Sequence, residues 1–165
     1  MFFIPFSVSK LNIGKLQFLR DYIYQLYQHN ICKNVLIADE RNEIASVVDG
    51  EMQIHLSGFC DVYTNCSKKF AFKNGIRSMS PDLIVTDEID IENDLQYLLE
   101  AANSGVNVVA SIHALDINQL KKKSAFDTVL NNKFFSRFVV LTNDEGPGTI
   151  SHVYDEKLNC IFCRY

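Results

Sequence analysis

The chain has 165 residues, 47% of them hydrophobic and 22% charged, which suits one domain with a substantial core and is too apolar for a disordered chain. A net charge of -4 excludes nonspecific binding to nucleic acid or anionic membrane through overall charge. No run approaches the roughly 18 apolar residues of a spanning helix, so no direct membrane span is expected.

The opening MFFIPFSVSK lacks a basic start and is interrupted by Pro5, which makes it a poor signal peptide. Phe2 to Ser7 reads as a buried strand entering a loop. Lys15 to His29 has helical spacing, with Leu19, Ile23, Leu26 and Tyr27 on one face. Asn34–Glu40 (NVLIADE) is a buried strand ending in two carboxylates. In 41–66, Gly50 and Gly58 mark turns, with a short helix expected near Glu43–Val48. Ser67 to Met79 reads as a helix stopped by Pro81. Asp82–Glu88 (DLIVTDE) repeats the pattern of an apolar strand with an acidic end. Ile91 to Ser104 is a helix stopped by Gly105. Val106–His113 (VNVVASIH) is another buried strand, 116–132 a helix, and Arg137–Thr142 a strand. Thr149–Tyr154 and Leu158–Arg164 form a terminal hairpin. Helices between short apolar strands imply parallel βαβ units, hence an α/β fold with a mostly parallel sheet covered by helices on both faces.

In open α/β sheets ligands gather at the carboxyl ends of the strands. Asp39 with Glu40, Asp87 with Glu88, and His113 all fall there. Acidic residues also end strands as caps or turn formers, but two pairs and a histidine facing one crevice favour a site. The first strand-to-helix junction contains Gly14-Lys15, a fragment of the phosphate-loop pattern G-x-x-x-x-G-K-[ST]. As a motif the pair carries little weight; its position, where a helix N-terminus favours phosphate, carries more. With a nucleotide on that loop, Asp87 would anchor Mg²⁺ and Glu88 would polarise the attacking water. His113 would sense the γ-phosphate, or be a hydrogen-bonded structural histidine.

The stretch IRSMSPDLIVTDE (76–88), with ADERNEIAS (38–46), DVYTNCSKK (61–69) and LLEAANSGVNVVASIHA (98–114), resembles the stage III sporulation protein AA family in order and spacing. These are P-loop ATPases of endospore-forming bacteria, related to the secretion ATPases. SKLNIGKLQFLRD (9–21) falls in register with the family's S-P-P-x-x-G-K-T-T-L-L-R-D: Ser9, Gly14, Lys15, Leu19, Arg20 and Asp21 match, while Lys10, Leu11, Leu16 and Gln17 do not. Leu16 replaces the hydroxyl that ligates Mg²⁺, so weakened activity is expected. Near Phe59–Cys60 the family carries Arg-Thr, which leaves Arg41 and Arg77 as the basic groups to reach a phosphate, from the same subunit or its neighbour.

The resemblance implies a RecA-like P-loop NTPase core, one domain over residues 1–165, without the further domain that family members carry before the loop. It implies that Ser9, Gly14 and Lys15 contact the phosphates of ATP, that Asp87 holds Mg²⁺, and that Glu88 activates water. Asp39, Glu40 and Arg41 resemble the acidic box and His113 the histidine box of secretion ATPases. A homo-oligomeric ring is implied, a hexamer, cytoplasmic on the mother-cell side of the forespore septum, driving membrane proteins of a sporulation channel complex. The rival is a structural ring subunit that binds nucleotide weakly or not at all. A nucleic-acid-handling relative fits the acidic charge poorly.

Elsewhere, five irregularly placed cysteines suggest no disulfide framework and fit a reduced compartment. Cys160 and Cys163 read as small apolar core residues. Lys121 to Lys123 read as a solvated helix end or, alternatively, an interface with an acidic neighbour. Phe134, Phe135 and Phe162 are expected in the core.

Overall fold

A computed structural model describes residues 14–32, 34–56, 60–114 and 116–164, and residues 5–9 by their backbone. The expectations for Phe2 to Ile4, Gly58 and Phe59, for the loop at 10–13 and for the Ser9 side chain lie outside the described residues. In chain order the elements are β1 (Pro5–Ser9), α1 (Lys15–Gln28), β2 (Val35–Asp39), β3 (Val47–Val48), β4 (Glu51–Met52) and β5 (Cys60–Thr64). Then come α2 (Lys68–Ser78), β6 (Leu83–Thr86), α3 (Ile91–Asn103), β7 (Asn107–His113), α4 (Ile117–Lys121), α5 (Ser124–Asn131), β8 (Arg137–Thr142), β9 (Thr149–Asp155) and β10 (Cys160–Cys163).

The main sheet has the order β10-β9-β8-β1-β7-β6-β2-β5. From β8 to β5 neighbouring strands are parallel; β9 and β10 close one side as an antiparallel hairpin. Strand β7 stands between β1 and β6, so the ends carrying Lys15 and Asp87 are two strand spacings apart, about 10 Å. The register sets Ser9 beside His113, Thr86 beside Ala110, and Ala38 beside Thr86. The acidic strand ends, the histidine and the loop into α1 therefore share one edge of the sheet.

The apolar runs are continuous because the central strands are buried on both faces. Leu36, Ala38, Ile84, Val108, Ala110 and Ile112 point into a cluster with α2, α3, α4 and α5. Their neighbours Val35, Ile37, Leu83, Val85 and Val109 point into a second cluster with Leu19, Ile23 and Leu26 of α1. Side-chain caps fix three helix starts: Ser67 accepts from Phe70 N, Asp90 from Glu92 N, and Asp116 from Gln119 N.

Four expectations need correction. The helix over 116–132 is two helices, broken at Lys122 and Lys123. Leu120 and Phe126 are both fully buried in one cluster, yet on a continuous helix they would stand about 120° apart at 3.6 residues per turn. The lysine run therefore sits in a helix–helix junction rather than at the end of a single helix. The short helix near Glu43–Val48 is instead a loop running into the β3–β4 hairpin, turned by Asp49 (φ 52°) and Gly50 (φ 83°). Cys160 and Phe162 are exposed on the outer strand of the C-terminal hairpin, and the Cys160 sulfur lies in contact with that of Cys163. Phe135, by contrast, is buried, and Phe134 packs against the core.

Candidate functional site

Gly14 adopts φ 84° and serves as the N-cap of α1, so Lys15 is the first helical residue. Its position turns the side chain inward, and the residue is only 3% exposed. Lys15 Nζ is buried and has no hydrogen-bond partner among the described residues. Burial lowers the ammonium pKa, and the nearby Glu88 carboxylate opposes that shift.

Asp87 follows β6 and is 4% exposed; its Oδ1 likewise lacks a hydrogen-bond partner among the described residues. Burial pushes its carboxyl up to about 6, reinforced by the Asp39 and Glu43 carboxylates and opposed by the Lys68 ammonium. Thr86 Oγ1 donates to Ala38 O at 2.9 Å, tying the end of β6 to β2. The chain then turns at Glu88, whose φ of 25° is unusual for a residue with a side chain. Ser111 holds that turn: its hydroxyl accepts from Glu88 N at 2.9 Å and its carbonyl from Ile89 N at 2.8 Å. The Glu88 carboxylate meets Arg41 Nη1 at 2.5 Å.

Asp39 is wholly buried, and its two oxygens accept from the backbone N–H groups of Glu43, Ile44 and Ala45 at 2.8–2.9 Å. It organises the loop that carries Glu40 and Arg41. Arg20 pins the same loop by donating to Ile44 O and Glu43 O. Glu40 accepts from Lys68 Nζ at 2.7 Å.

A cavity of about 550 Å³ opens beside Glu88, lined by Glu40, Arg41, Lys68, His113 and Lys123 among others. His113 is exposed at its rim. Arg77 lies elsewhere: it sits in the last turn of α2, about 14 Å along that helix from Lys68, and lines a groove against α3 with Lys69, Lys73 and Tyr97. The structure thus gathers Lys15, Asp39, Glu40, Arg41, Asp87, Glu88 and His113 at one sheet edge and leaves Arg77 outside.

Lys68 and Ser111 are the participants that sequence reasoning passed over. For Lys68 a signal existed. Two lysines directly after the Ser67 cap oppose the helix dipole, a cost that makes sense when carboxylates face them. Among the described residues no group of three or more His, Cys, Asp or Glu converges as a metal cage. One orphaned carboxylate oxygen fits a different type of site, in which Mg²⁺ takes one or two protein carboxylates and completes its shell with water and phosphate.

A parallel sheet in which one strand separates the inward-turned lysine from the acidic strand end, closed by an antiparallel hairpin, is the RecA-like fold of the secretion ATPases. The chain matches the ATPase DotB of Yersinia pseudotuberculosis with a TM-score of 0.66 at 17% identity, over 93% of this chain and 43% of that one. It matches the VirB11 ATPase of the Brucella suis type IV secretion system with a TM-score of 0.63 at 11% identity, over 94% of this chain and 48% of that one.

The chain belongs to the family described as Sporulation stage III, protein AA, whose model matches residues 5–161. Stage III sporulation protein AA of Bacillus subtilis (strain 168) is 37% identical over 125 residues, 76% of this chain and 41% of that relative. The chain therefore spans less than half of the length of that relative. No helix among the described residues is long and apolar enough to cross a membrane.

Proposed function

We propose that this chain is a single RecA-like core that binds Mg-ATP at the edge where α1 and β6 begin and end, and hydrolyses it. The reading is carried by one observation: a buried ammonium, Lys15 Nζ, and a buried carboxylate oxygen, Asp87 Oδ1, both lack partners among the described residues there. Burying unpaired charge is expensive, and a triphosphate with its metal would satisfy both groups.

In this reading Gly14 and Lys15, with Ser9 at the end of β1, cradle the phosphates. Asp87 holds Mg²⁺, which supplies neutralisation of the phosphate charge. Glu88 takes the proton of the attacking water once Arg41 has turned from it toward a phosphate. His113, on the strand between, would sense the γ-phosphate. Asp39 shapes the loop on the acidic side of the crevice, and Glu40 holds Lys68 there. Arg77, outside this crevice, would reach a phosphate only across a ring contact with a neighbouring copy. The chain would work as a homo-oligomeric ring, a hexamer, on the mother-cell side of the forespore septum. There it would drive membrane proteins of a sporulation channel.

Leu16 favours a second reading, a ring subunit with impaired catalysis. Its side chain packs against the apolar cluster under α1 and offers no oxygen to a metal. Mg-ATP affinity and turnover of the wild-type chain, Leu16→Thr and Glu88→Gln separate the two. Under the motor reading Leu16→Thr turns over faster and Glu88→Gln binds without turnover. No hydrolysis in the wild type or Leu16→Thr, with assembly verified, would leave only the structural subunit.

A further inference from the structure

The turn between β8 and β9, residues 143–148, reads Asn-Asp-Glu-Gly-Pro-Gly and ends against the start of α1. A Cβ on Gly14 would fall 1.9 Å from Gly148 N, 2.3 Å from its Cα and 2.7 Å from the Pro147 carbonyl carbon. The two backbones therefore touch face to face, with room for no side chain between them. In the other direction, a Cβ on Gly148 would lie 3.1 Å from Gly14 O. That oxygen accepts the first hydrogen bond of α1, from Phe18 N at 2.8 Å, and its peptide leads directly into Lys15.

The turn is itself held. Thr149 Oγ1 donates to Gly146 O at 2.8 Å, Gly146 N to Asn143 O at 3.1 Å, and Thr142 Oγ1 to the Asp144 carboxylate at 2.7 Å. Glu145 is ion-paired with Arg164 beyond the end of β10. Pro147 restricts the backbone at the point of contact.

We propose that the Pro147–Gly148 contact is a positioning element of the phosphate site: Gly148 buttresses the Gly14 carbonyl and thereby sets the first turn of α1, from which Lys15 projects. This rests on the reading of Lys15 as a phosphate ligand. Gly148 touches no substrate and acts through Gly14.

Gly146 provides the control. Its φ is 118°, so alanine there strains the same turn, but no atom of the described residues lies within 4 Å of the Cβ it would add. Amide exchange in the nucleotide-free chain should be about tenfold faster at Phe18 in Gly148→Ala, with no change in Gly146→Ala, because only the first disturbs the hydrogen bond to Gly14. Mg-ATP affinity should fall about tenfold in Gly148→Ala, with KM moving more than kcat, and stay within about twofold in Gly146→Ala. Equal effects of the two alanines, or none from Gly148→Ala, overturn the proposal. If Gly148→Ala does not fold, Pro147→Gly takes its place: it loosens the turn without adding an atom, and should speed Phe18 exchange where Gly146→Ala does not. If the wild-type chain binds no nucleotide, the ATP reading fails, and exchange at Phe18 alone decides whether the turn positions α1.

Discussion

The end of the sheet where the site lies has a buried inner set and a more exposed outer set of charges, and the two are built differently. Inside, Lys15 and Asp87 are 3% and 4% exposed and each leaves an atom without a partner among the described residues. Outside, Arg41–Glu88 and Lys68–Glu40 are closed ion pairs at 2.5 and 2.7 Å with solvent at hand. A fold selected only for stability would pair the inner charges and leave the outer ones loose. The reverse arrangement is what the proposed nucleotide site requires, with the inner groups kept ready for a charged ligand.

Replacing Lys15 should break that contrast most visibly. Lys15→Met removes a buried cation while keeping its apolar stem, so the nucleotide-free protein should melt no lower than the wild type, or slightly higher. Mg-ATP affinity should drop about a thousandfold, about 4 kcal/mol, by calorimetric titration. A variant that loses stability and keeps its affinity would show that Lys15 is a core residue.

The next effect is on pH. The Asp87 carboxyl rises from 3.8 to about 6, chiefly through burial. A raised carboxyl stabilises the folded state while protonated, so its contribution is fully present below about pH 4 and lost as pH climbs through about 6. That rise corresponds to about 3 kcal/mol. Thermal melts of the nucleotide-free chain between pH 4 and 7 should show that decline, and Asp87→Asn should flatten it. Adding Mg-ATP should restore stability near pH 7, since the ligand supplies what protonation supplied.

How much of this could be read beforehand follows from burial. Strands β2, β6 and β7 are covered on both faces, so they appear as unbroken apolar runs with Asp39, Asp87 and His113 conspicuous at their ends. Strand β5 lies at the sheet edge with its side chains half in solvent, and CDVYT gives no such run. The Asp49-Gly50 turn signal was present, but strands of two residues are too short for a period to show. The split of 116–132 depends on Leu120 and Phe126 sharing a cluster, a tertiary fact that local spacing contradicts. The outward-facing Cys160 and Phe162 look apolar in sequence and carry no mark of which side of a hairpin they occupy. The contact of Gly148 with Gly14 joins residues far apart in the chain, and neither glycine announces its partner.

Lys68 bridges the two sets. Its side chain is 10% exposed, it pairs with Glu40, and its charge lowers the pKa of both Asp87 and Asp94 against the effect of burial. Lys68→Met should cost about 2 kcal/mol at pH 7. The cost should shrink toward pH 5, where Asp87 is protonated without help, and the midpoint of the pH-dependent decline should move above that of the wild type. An unmoved midpoint would mean that Lys68 serves Glu40 alone.

The smallest effect belongs to the outermost pair. Arg41 and Glu88 approach to 2.5 Å, but their side chains are 56% and 35% exposed. Water and salt compete for both, so Arg41→Met should change stability by less than about 1 kcal/mol in chemical denaturation. Even that difference should fade in 1 M salt, where the screening length is about 3 Å. A small energy is what this position requires if Arg41 is to leave Glu88 when a phosphate arrives, because a strong pair would hold the base neutralised. A stability loss above about 2 kcal/mol that survives high salt would instead make Arg41–Glu88 a structural clasp, and would remove Glu88 as the group that accepts the proton from water.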